Sequence, residues 1–531
     1  MKNSILKGTI ILIVSSIIAK ILGALYRVPL IGLIGTNGIG LFQLIFPVYA
    51  LFLVIASNGL ATAISKIVSV RLEKNEYSYI NKFLRTSIVF ALVVGLIFSV
   101  LLILFSFVIA NIQGYAEAYI CYIAIAPSII FVCLISVIKG YFQGLQNMVP
   151  SAINQIIEQL TKLIFALLLA KIMIKNGMIY GVLGSLLGIT ISEMISLAVL
   201  FICLIKNKQA KEISKDKTIC NLSSFDMIKL LLKESFPIML GSMILPLVSA
   251  VESVLIVFLL SRAGIGKDVA LRVYGLEDGM VGSLINMPIV VAVAISTALL
   301  PNLTADFSKR DLQSVKQKCE LAIKYVLLIS IPCMFIYLVE ADKIIYFLYS
   351  NGLNSTKLDQ FLIATNLLKF SSINIIYLSL LNTLTMILQS ASRSFVPVKN
   401  LLISSVIKII LNFVLVTNPV FNIYGLVITD IFCYSLCGLL NLIYIKKIID
   451  IKFNLFKTFV FPSISLIPTF LTIKICEKCL NSFLSSRVLL VVSVLLSLIT
   501  YFISLLSLRV FTKEELKMIP KIKPKKTKMI L

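Results

Sequence analysis

Apolar runs of about twenty residues recur along almost the whole chain, and they limit what it can fold into. A helix of that length crosses the hydrocarbon core of a bilayer, and uninterrupted runs are typical of helices rather than of membrane β-strands, whose apolar residues alternate. Hydrophobic residues make up 59% of the 531 residues, which is more than a soluble domain contains. The sequence therefore predicts an all-α integral membrane protein with about fourteen transmembrane helices.

The predicted transmembrane helices have approximate cores at 8–32, 40–68, 84–112, 117–140, 151–175, 179–205, 229–261, 277–302, 318–340, 359–389, 398–418, 423–446, 455–475 and 484–509. An even number of crossings places both termini on the same side of the membrane. The formal net charge of +25 indicates which side that is. Basic residues gather in alternate connecting segments: Arg71, Lys74, Lys82 and Arg85; Lys206, Lys208, Lys211, Lys215 and Lys217; Lys309, Arg310, Lys316 and Lys318; Lys446, Lys447 and Lys452; and the tail 521–528.

Connecting segments rich in Lys and Arg stay in the cytoplasm. We therefore predict a multi-pass protein of the cell membrane with both termini cytoplasmic. The same basic surplus would contact anionic membrane lipids. It follows the membrane topology, so no nucleic-acid partner is predicted.

Polar residues in the two parts of the chain recur in the same order. Three of them are repeated 246 positions later: Gln143, Asn154 and Lys162 correspond to Gln389, Asn400 and Lys408. We interpret this as two six-helix bundles repeated in parallel around a central cavity, followed by two additional helices. The predicted boundaries are 1–206 for the first bundle, 207–225 for a cytoplasmic linker, 226–448 for the second bundle, 449–510 for the additional helices and 511–531 for a basic cytoplasmic tail.

A polar stripe follows Pro150, which is suited to the first turn of a helix. Asn154, Glu158 and Lys162 recur every four residues and so share one helix face. Because lipid cannot solvate such a stripe, it faces either other helices, as a polar seam, or the wall of a transport cavity. Glu158 either pairs with Lys162 one turn away or contacts the substrate directly.

Further candidates lie on both sides of this stripe. Lys20 and Arg27 are seven residues apart and share a face of the first helix, where Arg27 either reaches the lipid headgroups or faces an anion. Lys66 and Lys139 complete the basic candidates. Amides that could bind sugar hydroxyls are Gln43, Gln143, Asn154, Gln155 and Asn400. Ionisable residues deep within predicted helices are Glu193, Glu252, Lys408 and Asp430, and such residues are usually functional. Glu252 is the predicted site of a coupling ion.

Several motifs resemble those of the stage V sporulation protein B family: GALYRVPL from Gly23, GIGLFQ from Gly38, FPVY from Phe46, AISK from Ala63, GYFQG from Gly140 and QIIEQ from Gln155. That family belongs to the multidrug/oligosaccharidyl-lipid/polysaccharide exporter superfamily, beside the lipid II flippase. The resemblance implies a fourteen-helix fold with a central cavity. It also implies a flippase that moves an undecaprenyl-diphosphate-linked saccharide by alternating access, with Arg27, Lys20, Lys139 and Lys162 near the diphosphate.

Two other functions stay open. A multidrug or cation antiporter of the same superfamily would have a cavity dominated by acidic residues, whereas a membrane-embedded glycan transferase would need general acid–base groups. The chain has no histidine, so we predict no enzyme. No cofactor or metal is predicted either, because the CxxC at Cys476 lacks the further ligands that zinc requires. The predicted partners are the lipid-linked saccharide, membrane lipids and enzymes of cell-wall synthesis.

Overall fold

The computed structural model describes residues 2–215, 222–350, 358–451, 454–480 and 482–511, and their regular structure is helical throughout. The all-α prediction is confirmed. Part of the predicted linker, 216–221, and the predicted tail from residue 512 onward lie outside the described residues.

The N-terminal half comprises Lys2–Leu25 (α1), Arg27–Ser57 (α2), Leu60–Glu73 (α3), Tyr77–Ile112 (α4), Tyr119–Ile125 (α5), Ser128–Gly144 (α6), Val149–Met173 (α7) and Met178–Lys206 (α8). A short helix, Lys208–Lys215 (α9), follows in the predicted linker. The C-terminal half comprises Ser224–Ser242 (α10), Ile244–Arg262 (α11), Lys267–Tyr274 (α12), Gly282–Lys309 (α13), Leu312–Val339 (α14), Ala341–Tyr349 (α15), Leu358–Ser371 (α16), Asn374–Ser390 (α17), Phe395–Leu415 (α18) and Asn422–Ile448 (α19). The last helices are Phe461–Ile464 (α20), Leu466–Leu480 (α21) and Ser486–Ser507 (α22). A π-helical turn, Gly275–Val281, joins α12 to α13.

Among the described residues, eleven helices are long and apolar enough to cross a membrane, and a bent pair formed by α16 and α17 makes a twelfth. The chain is therefore a multi-pass membrane protein, although the predicted number of about fourteen is not confirmed. The first two predicted helices merge into one candidate, Val14–Glu73. They merge because the residues between the two predicted cores, 33–39, are helical except at Gly35, where φ is 73°. The fifth predicted helix corresponds to α7. It is not one of the eleven, because its polar stripe makes it less apolar than its neighbours.

One face of α4 packs against protein, and the opposite face is suited to lipid. Small side chains recur along one face and are buried: Ser87, Ala91, Gly95, Ser99, Ser106 and Ala110. They let α6 come so close that a Cβ on Gly95 would lie 2.8 Å from the Cα of Ile130. The opposite face keeps large apolar side chains such as Leu104 and Phe107 exposed. Such a surface is stable only against lipid, so α4 lies at the membrane-facing edge of its half.

Matching contacts occur in the two halves. Asn154 on α7 donates to the carbonyl oxygen of Ser196 on α8 at 2.9 Å. Asn400 on α18, which lies 246 positions later, donates to Oδ1 of Asn441 on α19, also at 2.9 Å. The donors keep the offset of the predicted repeat, and the acceptors keep it to within one residue. The boundaries predicted for the bundles, linker, additional helices and tail stay predictions.

The two halves pack closely along α2, which contacts α11, α12 and the π-helical turn. Gly40 on α2 lies so near Leu271 on α12 that a Cβ on the glycine would be 2.1 Å from the Leu271 carbonyl oxygen. Arg272 Nε donates to Asn37 Oδ1 at 3.0 Å across the same contact. We call this contact, formed by Asn37 and Gly40 with Leu271 and Arg272, the α2 seam.

A second contact between the halves lies near the α2 seam. The hydroxyl of Tyr115, which follows α4, donates to the carbonyl oxygen of Lys267 at the start of α12, at 2.8 Å. Burial, with a further contribution from nearby Asp268, raises the pKa of Tyr115 to about 12. The hydroxyl therefore keeps the proton that it donates at any physiological pH.

Gly188 allows α7 and α8 to pack closely, since a Cβ at this position would lie 2.4 Å from the Cα and N of Ala166. We expect Gly188→Ala to reduce the stability of the N-terminal half by about 1–3 kcal/mol, because the backbones must separate. The measurement is the midpoint of thermal unfolding in detergent. Gly32→Ala is the control, because no heavy atom lies within 4 Å of its Cβ position. Equal midpoints for the two variants would contradict the prediction.

Candidate functional site

Four ionisable side chains of the N-terminal half lie close together, and we call them the N-terminal cluster: Lys139 on α6, Glu158 and Lys162 on α7, and Glu193 on α8. Lys139 Nζ lies 3.5 Å from Glu158 Oε2, and both side chains are about four-fifths buried. Gln159 Nε2 donates to the other carboxylate oxygen of Glu158 at 3.1 Å. Of the two alternatives predicted for Glu158, the pairing with Lys162 is not formed, since α6 supplies Lys139 as the nearer cation.

Lys162 has a different environment. Its ammonium lies 5.3 Å from the ring centroid of Tyr26 and 5.7 Å from that of Phe46, within the range of cation–π attraction. No carboxylate among the described residues comes within 4.0 Å of it, although Glu193 is near enough to interact electrostatically. Glu193 itself is 7% exposed. Lys162 is therefore a half-buried cation with aromatic neighbours and no salt bridge within the described part of the chain.

The amides predicted to bind sugar are largely engaged within the protein. Asn154 is fully buried, and its Nδ2 donates to Ser196. Gln155 Oε1 accepts hydrogen bonds from Ser15 and Ser16 on α1 at 3.2 and 3.0 Å. Gln143 is half-buried at the end of α6. In this conformation Asn154 and Gln155 connect helices, and their contact with substrate stays a prediction.

Arg27 and Gln43, both on α2, face the C-terminal half. Arg27 Nη1 donates to Ser283 Oγ on α13 at 3.0 Å, and its charge interacts with Asp278 on the π-helical turn. Gln43 is 4% exposed and donates from Nε2 to the same Asp278. The two residues therefore lie where the two halves meet.

The remaining basic candidates lie at the surface. Lys20 is exposed on α1. Lys66 has a side chain that is 64% exposed and forms an ion pair with Glu234 on α10 at 2.7 Å. Neither reaches the N-terminal cluster or the interface around Arg27 in this conformation, and their substrate roles stay predictions.

A cavity in the C-terminal half holds most of the remaining buried charge, and we call it the C-terminal cavity. It encloses about 550 Å³ of space, part of it open to solvent. Its lining comes from α11, the end of α12, the π-helical turn, α18 and α19. The ionisable lining residues are Glu252, Tyr274, Glu277, Asp278, Lys408, Asp430, Cys433 and Tyr434. Three of the four deep ionisable residues predicted from sequence meet here, because their helices surround one space.

Lys408 joins two carboxylates within this cavity. Its Nζ lies 2.6 Å from Glu252 Oε1 and 2.5 Å from Asp430 Oδ1, and its side chain is 5% exposed. Asn412, one turn further along α18, donates to Glu252 at 2.9 Å and accepts from the Thr429 hydroxyl at 2.6 Å. Glu252 is thus fixed by a cation and an amide, which differs from the open carboxylate expected of an ion-coupling site.

Sequence reasoning missed Glu277 and Asp278. They fall at the beginning of a predicted transmembrane helix, where adjacent acids are typical of a water-exposed helix end. The structure places both on the π-helical turn, and Glu277 is 7% exposed. A π-helical turn inside a longer helix frequently occurs at a functional site. Two adjacent acids followed by an apolar run within a membrane segment were the available signal.

The two halves therefore present different chemistry to the space between them. The N-terminal half offers two cations, Lys162 beside the Tyr26 ring and Arg27 against the C-terminal half. The C-terminal half offers four carboxylates and the ammonium of Lys408. Such a site can bind an anionic group on one side and a proton or cation on the other.

Comparison with known proteins identifies related families. The sequence model described as polysaccharide biosynthesis protein matches residues 5–305, and the one described as MatE matches residues 275–414. Stage V sporulation protein B of Bacillus subtilis (strain 168) is 27% identical over 524 residues, which cover 98% of each chain. The lipid II flippase MurJ of the same strain is 27% identical over 427 residues, which cover 78% of this chain and 77% of the relative.

The fold also resembles solved structures. A structure described as lipid II flippase MurJ in an inward closed conformation superposes with a TM-score of 0.67 at 17% identity. The superposition covers 92% of this chain and 97% of that one. At this identity the similarity shows the fold, and it confirms the MurJ-like architecture predicted from the sequence motifs.

Proposed function

The chain belongs to the polysaccharide biosynthesis protein family, and we propose that it is a flippase for an undecaprenyl-diphosphate-linked saccharide used in cell-wall, spore-cortex or polysaccharide synthesis. Its similarity to stage V sporulation protein B and to a lipid II flippase supports a transporter of this superfamily rather than an enzyme. The substrate would cross the membrane as one half rocks against the other.

The environment of Lys162 is the observation that supports this proposal most directly. A half-buried ammonium without a salt bridge in the described part of the chain favours binding of an anion, because aromatic rings and the more distant Glu193 compensate its desolvation only in part. Arg27 follows Tyr26 directly in the chain, and its guanidinium can bind a phosphate with two parallel hydrogen bonds. Lys139 is near but already shared with Glu158. The diphosphate would therefore bind between Arg27 and Lys162.

The rest of the substrate requires weaker contacts. Gln143, half-buried near the N-terminal cluster, and Gln43 would bind sugar hydroxyls once the halves separate. The polyprenyl tail needs only apolar surface, which the exposed leucines and phenylalanines of α21 and α22 supply. Membrane lipids and enzymes of cell-wall synthesis would be the other partners. We retain cytoplasmic termini as part of the proposal, on the basis of the basic connecting segments.

The C-terminal cavity supports a second candidate function. Its four carboxylates are the acid-rich lining expected of a cation antiporter, and a model of the MatE family matches the region that contains part of it. The two functions differ in which half binds the substrate. A cationic substrate would depend on the carboxylates, whereas a lipid diphosphate would depend on Arg27 and Lys162.

We expect Arg27→Ala and Lys162→Ala each to lower the rate at which a fluorescent undecaprenyl-diphosphate saccharide crosses proteoliposome membranes by roughly tenfold or more, because each removes a desolvated charge–phosphate contact. Lys162→Arg should retain most of the rate, since it keeps the charge. The measurement is the fraction of label protected from a membrane-impermeant quencher over time.

Matched controls are Arg262→Ala, which removes an exposed arginine stacked on Phe258, and Lys171→Ala, which removes an exposed lysine from α7. Both should transport like the wild type. Unchanged transport in the Arg27 and Lys162 variants would exclude this diphosphate site. Efflux of a cationic dye without movement of the lipid would favour the antiporter.

A further inference from the structure

The C-terminal cavity holds more negative than positive charge. Glu252, Glu277, Asp278 and Asp430 line it, and Lys408 is the only Lys or Arg among its described lining residues. Arg27 adds a second cation from α2 through its interaction with Asp278. Four carboxylates thus face two cations, and an excess of two negative charges is unfavourable within a membrane domain. The cavity therefore needs another positive species.

The contacts of the four carboxylates show where that species would bind. Lys408 holds both Glu252 and Asp430. Asp278 accepts a hydrogen bond from Gln43. Glu277 is 7% exposed, lines the cavity, and has no hydrogen bond or ion pair with any described residue. Glu277 is therefore a buried carboxylate that no neighbour in the described part of the protein contacts by a hydrogen bond or a salt bridge.

The charges around Glu277 come from several helices. Asp278 and Tyr274 lie on the same turn of chain, and Glu252, Lys408, Asp430 and Tyr434 face the cavity from α11, α18 and α19. Arg27 approaches from α2. Of the other packed helices, α16 carries an exposed Asp359 and a half-buried Lys369, and α12 carries Arg272, which is bonded to Asn37. Carboxylates therefore outnumber cations around Glu277.

We propose that Glu277 is a proton-binding site, and that loading and release of this proton accompany the movement of the two halves. A proton requires one carboxylate oxygen, whereas a metal ion requires several converging ligands. Among the described residues no three His, Cys, Asp or Glu side chains are placed to hold a metal ion. The proposed site is therefore not Glu252, the coupling residue predicted from sequence. The Glu252 carboxylate already contacts Lys408 and Asn412.

The position of Glu277 explains how the proton would affect the halves. Its neighbour Asp278 accepts from Gln43 of the N-terminal half. A proton on Glu277 removes a negative charge beside this contact and lets the halves stay together. Release of the proton to solvent places two negative charges side by side and favours separation. This coupling rests on the proposed transport function, but proton binding by Glu277 can be tested without any substrate.

The test is infrared difference spectroscopy of the full chain in lipid nanodiscs, titrated from about pH 5 to about pH 9. The wild type should show a carbonyl-stretch band of a protonated carboxylic acid that disappears as the pH rises, and Glu277→Gln should lack that band. Glu277→Asp should restore a band at a shifted midpoint. Glu340→Gln is the control, because Glu340 is 1% exposed but is paired with Lys343 at 3.0 Å outside the cavity.

A titrating band that is the same in the wild type and in Glu277→Gln would overturn the proposal. Size-exclusion profiles identify any variant that has failed to fold. If Glu277→Gln fails to fold, the shifted midpoint of the band in Glu277→Asp tests the proposal instead. Transport is measured in parallel under an imposed pH gradient, where Glu277→Gln should lose the stimulation seen in the wild type. A titrating Glu277 band without movement of the saccharide lipid would support the proton site and reject the flippase.

Discussion

Replacing Lys408 with methionine is expected to destabilise the protein by about 3–5 kcal/mol, the largest single-residue effect on folding predicted here. Lys408 is the shared partner of Glu252 and Asp430, and its side chain is 5% exposed. Without it, two largely buried carboxylates lose their cation and must take up protons or draw in water. The measurement is the midpoint of thermal unfolding in detergent, together with the yield of monodisperse protein.

The origin of this loss can be separated from a simple packing defect. Combining Lys408→Met with Glu252→Gln and Asp430→Asn removes all three charges and should recover most of the stability, because an uncharged cluster leaves no unpaired ion. Lys399→Met removes an exposed lysine from the same helix and should have little effect. We call Lys408, Glu252 and Asp430 the triad. If the triple variant were as unstable as Lys408→Met, the triad would stabilise the protein through its shape rather than its charge.

Much of this triad could be predicted from the sequence. Placing an ionisable residue deep within a membrane helix costs free energy, so such residues stand out in an apolar run. The residues predicted on this basis are Glu193, Glu252, Lys408 and Asp430. The 246-residue offset also predicted that Lys408 would occupy the position of Lys162. The contacts of Asn154 and Asn400 keep that offset in the structure.

The partners of these residues could not be predicted. Spacing along one helix suggested that Glu158 would pair with Lys162, but α6 brings Lys139 to it instead. Which helix covers a given face is decided by packing between distant parts of the chain. Glu277 was missed for a related reason, because the adjacent acids were visible in the sequence but the π-helical turn that places Glu277 in the cavity was not.

Gly40→Val is expected to reduce transport by roughly tenfold or more, because it prevents the α2 seam from closing. The Cβ would lie 2.1 Å from the carbonyl oxygen of Leu271, and a backbone atom cannot move aside as a flexible side chain can. Overpacking of this kind costs about 1–3 kcal/mol, and each 1.4 kcal/mol changes a conformational equilibrium tenfold. The population should shift towards states in which α2 and α12 are apart.

The shift can be measured as a distance. Spin labels at the exposed positions Glu117 and Val269, beside the Tyr115–Lys267 contact between the halves, should lie further apart in Gly40→Val than in the parent protein. Gly32→Val on the same helix is the control, since no heavy atom lies within 4 Å of its Cβ position. Both variants are made in a cysteine-free background.

The two readouts together determine what the seam does. A longer distance with lost transport means that closure at α2 is an obligatory step, as alternating access requires. A longer distance with normal transport would mean that the halves exchange conformations without sealing at Gly40. The gate would then have to lie elsewhere along the interface, for example at the bond between Gln43 and Asp278, where Glu277 would act on it.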